Sequence, residues 1–180
     1  MISLLSPRVL LRPWKPEDAE AFSQLNADPE VMHYFPSILN RSESNAILKK
    51  MQIHFDKHGF GFWAAEHRVT GDFLGFIGLN IPNFEAHFTP CVEIGWRLPR
   101  RYWNQGLASE GALLCLEFAF KNLKLEEVVA FTSSQNTASR RVMEKIGMHH
   151  NPKDDFEHPQ LTPGHPLRAH VLYRITNPRL

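Results

Sequence analysis

Gly106 and Ala108 stand at the start of an apolar run in the segment RYWNQGLASEGALLCLEFAF, residues 101–120. The first turn of a helix carries backbone N–H groups without partners in the helix, together with the positive end of the helix dipole. Such a helix start binds anions when side chains do not block it. Gly106 and Ala108 would let an anionic group reach the backbone. Close packing of a helix on a sheet explains the same small residues equally well.

Two common phosphate-binding patterns do not fit this segment. A P-loop places a lysine and a hydroxyl residue directly after its last glycine, whereas Leu107 and Ala108 follow Gly106. A dinucleotide fingerprint needs three spaced glycines and an acidic residue about 20 positions later, and Gly106 with Gly111 does not supply it. A metal-free phosphate cradle remains, which suits a pyrophosphate-bearing carrier such as coenzyme A.

Strands and helices that would hold this cradle follow one another along the chain without a repeat or a linker. Predicted strands lie at residues 9–14, 60–67, 73–80, 91–98, 126–133 and 168–175, and predicted helices follow Pro16, Ser42 and Asn136 and cover about 107–121. This order predicts a mixed α/β (α+β) fold around one central sheet. We expect a single domain over residues 1–180.

Two helices carry specific boundary signals. Ser42 is expected to cap the second helix, and Gly59 is expected to end it. Asn136 is expected to cap the last helix. In that helix the spacing of Ala138, Val142 and Ile146 predicts a stripe that faces the core.

Composition and charge exclude several classes of function. The chain is 43% hydrophobic and 22% charged, which is typical of a soluble globular protein. A net charge of +1 gives no basic field for nucleic acid or a membrane surface. Pro7 and Arg8 interrupt the apolar start before a signal-peptide core forms, and no apolar run reaches membrane-spanning length. We expect a cytoplasmic protein that binds neither nucleic acid nor membrane.

Cysteine and histidine residues do not indicate a metal site. Cys91 and Cys115 lie far apart, each within an apolar run, and we expect both to be reduced core residues. The histidines match no ligand spacing such as His-Glu-x-x-His. We therefore expect no metal.

The cradle resembles a loop of a known family. The segment YWNQGLASEGA is similar to the acyl-CoA pyrophosphate loop of GNAT N-acetyltransferases, whose pattern is Arg/Gln-x-x-Gly-x-Gly/Ala. Gly106 and Ala108 match this pattern. Trp103 stands at the Arg/Gln position, and Asn104 replaces a frequent glycine.

Four further segments extend the resemblance over nearly the full chain. NTASRRVMEKIGM is similar to the second CoA-contacting helix of the family, and SPRVLLRPW, VEIGWRL and HPLRAHVLYRI resemble the RimJ/RimL-like branch. The resemblance implies the GNAT fold, in which a single mixed β-sheet is splayed between two parallel strands and flanked by helices. It also implies acetyl transfer from acetyl-CoA to a primary amine, in a monomer or homodimer.

The resemblance further implies a set of cofactor contacts on one splayed strand and two helix starts. These residues are Trp96, Leu98, Trp103, Asn104, Gln105, Gly106, Leu107, Ala108, Ser109, Asn136 and Ser139. In GNAT folds, the splayed strand offers backbone N–H groups to the oxyanion of the tetrahedral intermediate.

A position in the second CoA helix also departs from the family. Many GNAT enzymes use a tyrosine on the second CoA helix to protonate the departing thiolate, and Met143 occupies that position here. A methionine cannot donate this proton. In the RimL-like branch a serine one turn earlier is thought to serve, and Ser139 occupies the matching position. A small helix residue selected for close packing would look the same.

Acetyl transfer to an amine also needs a base. An alkylammonium with a pKa near 10.4 is mostly protonated at pH 7, so a proton must be removed before attack. Glu93, in the strand before the cradle, is the candidate because a carboxylate can take that proton directly or through one water. The alternative is an outward-facing glutamate in a solvated row.

The acceptor itself is not identified by the sequence. The fold implies that residues 28–40 and 151–166 line the acceptor side, and the acceptor is a protein N-terminus or a small-molecule amine. Asp154, Asp155 and Glu157 could form a negative rim that attracts cationic amines, or simply a solvated acidic loop. Met143 leaves open a second function, a non-catalytic acyl-CoA sensor of the same fold.

Overall fold

The computed structural model describes residues 2–177 as four α-helices and nine β-strands in one sheet. The helices are α1 (Asp18–Ala27), α2 (Arg41–His58), α3 (Leu107–Lys121) and α4 (Thr137–Lys145). The strands are β1 (Leu4–Leu5), β2 (Val9–Arg12), β3 (Phe62–His67), β4 (Phe73–Asn80), β5 (Glu93–Arg97), β6 (Glu127–Ser133), β7 (His149–His150), β8 (Phe156–Glu157) and β9 (Ala169–Thr176). No helix in this part of the chain is long and apolar enough to cross a membrane.

The sheet is open and mixed, and its strands separate at one point. The order is β1-β2-β3-β4-β5-β6-β9-β7, with β8 also paired to β9. β5 and β6 are parallel and share a single register pair, Glu93 with Val129, whereas the other pairs are antiparallel. This confirms the predicted mixed sheet that is splayed between two parallel strands.

Helices cover both faces of the sheet, as the side chains of β4 show, because successive residues of a strand point to opposite faces. The Phe76 ring lies 6.0 Å from that of Phe22 in α1. The next residue, Ile77, lies beneath Gly111 of α3, where an added Cβ would overlap the Ile77 side chain. Thus α1 and α3 pack on opposite faces. Met143 of α4 belongs to the same core cluster as the α3 residues.

Three details of the predicted elements are wrong. The cap of α2 is Asn40 rather than Ser42: the Asn40 side chain accepts from the Glu43 N–H at 3.0 Å, and Glu43 accepts from the Asn40 N–H at 2.8 Å. Ala138 in α4 is exposed, and Met143 is buried instead. The two-residue strands β1, β7 and β8 were not predicted. The predicted end of α2 at Gly59 is confirmed, with φ 74°.

Replacing the α2 cap tests this assignment. Asn40→Ala should lower the free energy of unfolding by about 1 kcal/mol, the usual cost of losing a helix cap. Ser42→Ala should have little effect because Ser42 is exposed in the first turn of α2. Denaturant titration followed by circular dichroism compares the two variants. A larger loss for Ser42→Ala would contradict the Asn40 cap.

Candidate active site

The start of α3 is open, as the sequence predicts. Gly106 is the N-cap residue with φ 78°, a left-handed conformation that favours glycine, and no side chain caps the helix. An added Cβ at Gly106 would meet only Nη2 of Arg8, at 3.6 Å. Asn104 also has a positive φ, 59°. The first backbone N–H groups of α3 therefore face the cradle, and no side chain of α3 covers them.

Arg8 and Glu110 fasten this cradle to the N-terminal strands. Glu110 accepts hydrogen bonds from the Arg8 N–H (2.8 Å), Arg8 Nε (2.7 Å) and Ser6 Oγ (2.8 Å). Arg8 Nη1 donates to the Gln105 carbonyl at 3.0 Å. Burial raises the pKa of Glu110, but these hydrogen bonds outweigh it and leave that pKa lowered. Sequence reasoning did not find this pair, whose partners are 102 residues apart.

The remaining loop residues contact backbone. Trp103 Nε1 donates to the Leu98 carbonyl at 2.8 Å, and Gln105 Nε2 donates to the Arg101 carbonyl at 2.8 Å. Leu107 is buried in the core, so only its backbone is available to a ligand. Ala108 and Ser109 follow it, partly exposed, in the first turn of α3.

The start of α4 lies at the same edge of the sheet as the start of α3. β5 and β6 are parallel, α3 follows β5, and α4 follows β6, so both helices begin at the carboxyl ends of these strands. Asn136 caps α4, as predicted, by accepting from the Ser139 N–H at 3.1 Å. The Ser139 hydroxyl is partly buried and makes no hydrogen bond to any residue from 2 to 177.

The separation of β5 from β6 frees backbone donors. The Val92 carbonyl accepts from the Val129 N–H at 3.0 Å, so the backbone groups of residue 92 face β6. Because strand residues alternate, the N–H groups of Trp96 and Leu98 point to the same edge. The pairing of β5 with β6 ends at Glu93 and Val129, so it does not reach Trp96 or Leu98. These two N–H groups therefore face the gap between the strands.

Glu93 is held by a neighbour on β4. Asn80 lies directly opposite Glu93, and its Nδ2 donates to Glu93 Oε1 at 2.7 Å. Burial raises the pKa of Glu93 to about 7, although the Asn80 hydrogen bond acts in the opposite direction. Glu93 is therefore not a fully solvated glutamate. Sequence reasoning missed Asn80, because the pairing of β4 with β5 decides which residue faces Glu93.

Met143 lies in the core, where it is 2% exposed. A tyrosine, Tyr173, belongs to the same core cluster as Met143. Its hydroxyl donates to Glu144 Oε1 at 3.0 Å and accepts from Arg140 Nε at 3.3 Å. Met143 itself supplies no proton donor at the position of the family tyrosine.

The acidic loop at residues 151–166 has its carboxylates paired. Asp154 accepts from Arg174 Nε at 2.9 Å, Asp155 contacts His150 Nε2 at 2.7 Å, and Glu157 accepts from Arg168 Nε at 2.9 Å, so each of the three has a basic partner. These contacts do not support the negative rim, which the sequence left open beside a solvated acidic loop. Within residues 2–177, no group of three or more His, Cys, Asp or Glu side chains could hold a metal ion.

Comparisons with known proteins show the family. Residues 8–149 match the acetyltransferase (GNAT) domain, and the chain belongs to the GNAT acetyltransferase family. It is similar to YkkB of Bacillus subtilis, with 34% identity over 82% of this chain and 86% of that protein. It is also 33% identical, over 82% of this chain and 65% of the relative, to the FsC-acetyl coenzyme A-N(2)-transacetylase of Aspergillus fumigatus.

A solved structure supports the same assignment. The acetyltransferase (GNAT family) from Bacillus anthracis superposes with a TM-score of 0.80 at 27% identity, over 98% of this chain and 99% of that chain. The chain is thus an acetyltransferase of a family that uses acetyl-CoA as co-substrate.

Filling the cradle should weaken acetyl-CoA binding. Gly106→Asp places a carboxylate where the pyrophosphate would approach the backbone, and we expect the Kd for acetyl-CoA to rise at least about tenfold, equivalent to about 1.4 kcal/mol. Gly71→Asp is the matched control, because Gly71 also has a left-handed conformation, with φ 74°, and open space around its Cβ position. Calorimetry on both folded variants measures the difference. An unchanged Kd for Gly106→Asp would remove the cradle from the cofactor site.

Proposed function

We propose that this chain, acting as one domain over residues 1–180, transfers an acetyl group from acetyl-CoA to a primary amine by direct attack on the thioester. The observation that carries the proposal is Glu93, a carboxylate with a pKa near 7 on the strand that leads into the open start of α3. A general base is most effective when its pKa lies near the working pH.

The cofactor would lie across the starts of α3 and α4. Backbone N–H groups in the first turn of α3, from Gly106 to Ser109, would bind the pyrophosphate, since they meet no capping side chain. Trp103, Asn104 and Gln105 would form the outer wall of that loop. Asn136 would position the first turn of α4 beside it.

Glu93 would act on the amine. It takes the ammonium proton, directly or through one water, and the neutral nitrogen then attacks the thioester carbonyl carbon. The oxyanion that forms would accept hydrogen bonds from the Trp96 and Leu98 N–H groups, which face the gap between β5 and β6. The carbon–sulfur bond then breaks, the attacking nitrogen loses its second proton as the amide forms, and this proton is passed on to the CoA thiolate.

Ser139 would supply that proton or stabilise the thiolate. Its hydroxyl is partly buried in the first turn of α4 and has no hydrogen bond within the described chain. A free hydroxyl at a helix start is suited to an anionic sulfur, because the helix dipole favours negative charge there.

We also propose that the chain belongs to the RimJ/RimL-like branch, on the strength of the segments SPRVLLRPW, VEIGWRL and HPLRAHVLYRI. The acceptor would then be a protein N-terminus or a small-molecule amine. The acyl-CoA sensor remains the second candidate, because buried Met143 replaces the family's usual proton donor. Release of CoA thiol over a panel of amines separates the two, since a sensor would bind acetyl-CoA without turnover.

Removing the base should slow turnover without weakening cofactor binding. Glu93→Gln keeps the shape of the side chain, and we expect kcat to fall about 10²–10⁴-fold, the range for general acid–base groups. The wild-type rate should rise with pH through about 7, because burial raises the pKa of Glu93 and only the ionised form accepts a proton. That rise should be absent in Glu93→Gln.

Two controls define the role of Glu93. Asn80→Ala removes the hydrogen bond that stabilises ionised Glu93, so the rise should move to higher pH. Glu117→Gln, at an exposed position of α3, should leave the profile unchanged. An unaltered pH–rate profile in Glu93→Gln would assign the base elsewhere.

Ser139→Ala tests the proton donor. Loss of the hydroxyl should lower the single-turnover rate by about 10²-fold, the lower end of the range for general acids, with the Kd for acetyl-CoA unchanged. Thr137→Ala, exposed in the same turn of α4, is the control and should be near wild type. Equal single-turnover rates for Ser139→Ala and wild type would leave Ser139 only a packing role.

A further inference from the structure

Arg97 is an arginine whose charge has no counterion. It forms no ion pair with any residue from 2 to 177, and burial lowers its pKa to about 10, so it stays protonated at neutral pH. Its guanidinium carbon lies 4.0 Å from the centre of the Phe35 ring and 5.3 Å from that of Phe76. These rings cover the guanidinium, but they offer no hydrogen-bond acceptor to its N–H groups. Arg97 as a whole is partly buried, and charged groups that are withdrawn from water are normally paired.

One edge of this guanidinium is left free. Nη1 donates to Asn26 Oδ1 at 2.5 Å, whereas Nε is buried with no acceptor and Nη2 makes no hydrogen bond within the described chain. Nε–H and Nη2–H point in the same direction and form the side-on fork that binds a carboxylate through two parallel hydrogen bonds. An unsatisfied buried donor is costly, so an oxygen ligand on this edge would be favoured.

The partner of Arg97 is an amide at a position where a carboxylate would fit. Asn26 is 0% exposed, and its Nδ2 donates to Ser44 Oγ at 3.2 Å. An aspartate in its place would neutralise Arg97 from within the protein and could still accept a hydrogen bond from the Ser44 hydroxyl. The amide instead orients the guanidinium and leaves its charge available.

Arg97 shares one face of β5 with the proposed base. Alternate residues of a strand point to the same side, so Glu93, Gly95 and Arg97 line one face. Glu93 and Arg97 are four residues apart, about 13 Å between Cα atoms at ~3.3 Å per residue. Gly95 between them has no side chain, and a Cβ there would lie 3.1 Å from the Phe62 ring. The face thus carries a carboxylate at one end and a cation at the other, and the edge of the Phe62 ring lies over Gly95 between them.

Phe35 connects Arg97 to the acceptor side. It belongs to the connection between α1 and α2, residues 28–40, and its ring is the nearer of the two that cover the guanidinium. A group bound to the free edge of Arg97 would therefore lie beneath this connection.

We propose that Arg97 determines acceptor specificity by binding a carboxylate of the acceptor side-on through Nε and Nη2. The acceptor is then an amine that also carries a carboxylate, with the amine at Glu93 and the carboxylate at Arg97. This inference rests on the proposed acetyl transfer for its reaction, and on the geometry of Arg97 and Asn26 for its specificity.

The experiment compares acids with their neutral amides. Linear ω-amino acids of increasing length and the corresponding ω-amino carboxamides are offered as acceptors, and kcat/KM is measured for each. At the length that spans the two residues, wild type should prefer the acid at least about tenfold, the effect of about 1.4 kcal/mol from one bidentate contact. Calorimetry with CoA present measures binding of the same acids and amides without turnover.

Four variants define the role of Arg97. Arg97→Met keeps the length of the side chain and should bring the ratio of kcat/KM for acids to kcat/KM for amides down to about one. Arg97→Lys keeps the charge without the fork and should retain only part of the preference. Asn26→Asp keeps Arg97 but gives it a counterion, and should also reduce the preference. Arg41 forms an exposed ion pair with Glu20 on α1, and Arg41→Lys should leave the preference for acids unchanged.

The outcomes separate the two proposals. Turnover with equal kcat/KM for acids and amides, or a preference that survives in both Arg97→Met and Asn26→Asp, overturns the Arg97 site and leaves acetyl transfer intact. Acid-selective binding that Arg97→Met abolishes, without turnover of any amine, supports the site and overturns acetyl transfer. Tighter binding of ω-aminoalkyl phosphonates than of the acids would overturn the choice of a carboxylate.

Discussion

The single register pair between β5 and β6 is the constraint on which the rest of the site depends. Two parallel strands that are paired at Glu93 and Val129 and then separate leave backbone N–H groups on an interior edge without a partner strand. Such unpaired donors are costly inside a protein unless a ligand or water meets them. The same parallel arrangement brings the starts of α3 and α4 to one edge. The proposed donors for an oxyanion thus come from the separation of two parallel strands, and the proposed donors for phosphate come from the helices that follow those strands.

The charged side chains on this sheet have two kinds of partner, carboxylates for the arginine on β2 and amides for the residues on β5. Arg12 on β2 is fully compensated: both of its terminal nitrogens donate to Asp18, at 2.7 and 2.8 Å, and Nε donates to Glu66 at 2.6 Å. The Asp18 hydrogen bond raises the pKa of Arg12 despite its burial. On β5, Glu93 is held by an amide and Arg97 by another amide. Amide partners orient a charged side chain without neutralising it, which keeps both groups available for chemistry or binding.

Local signals were enough to predict the cradle. A glycine before an apolar run placed the start of α3 at Leu107, and Asn136 identified the cap of α4. The α2 cap could have been found as well, because Glu43 stands three residues after Asn40 and completes a capping box. Two-residue strands such as β1 have no periodicity to detect, and they form only because a neighbouring strand is present.

The contacts within the site could not be predicted in this way. Asn80 faces Glu93 only because of the register of β4 with β5, and a shift of one residue would place a different side chain there. Asn26 and Arg97 are 71 residues apart and meet through the packing of α1 on the sheet. The need for a carboxylate near the cradle suggested Glu93 as a base, but the environment that raises its pKa is a product of tertiary structure.

The clamp between Arg8 and Glu110 also has an energetic consequence for the cofactor. Arg8 fixes the Gln105 carbonyl through contacts made entirely within the protein, so the entropy cost of ordering the loop falls on folding rather than on binding. At the proposed cofactor site, cofactor affinity and the stability of the β1–β2 hairpin are then thermodynamically linked. A change that loosens the hairpin should weaken cofactor binding, and a bound cofactor should by reciprocity stabilise the hairpin to the same extent.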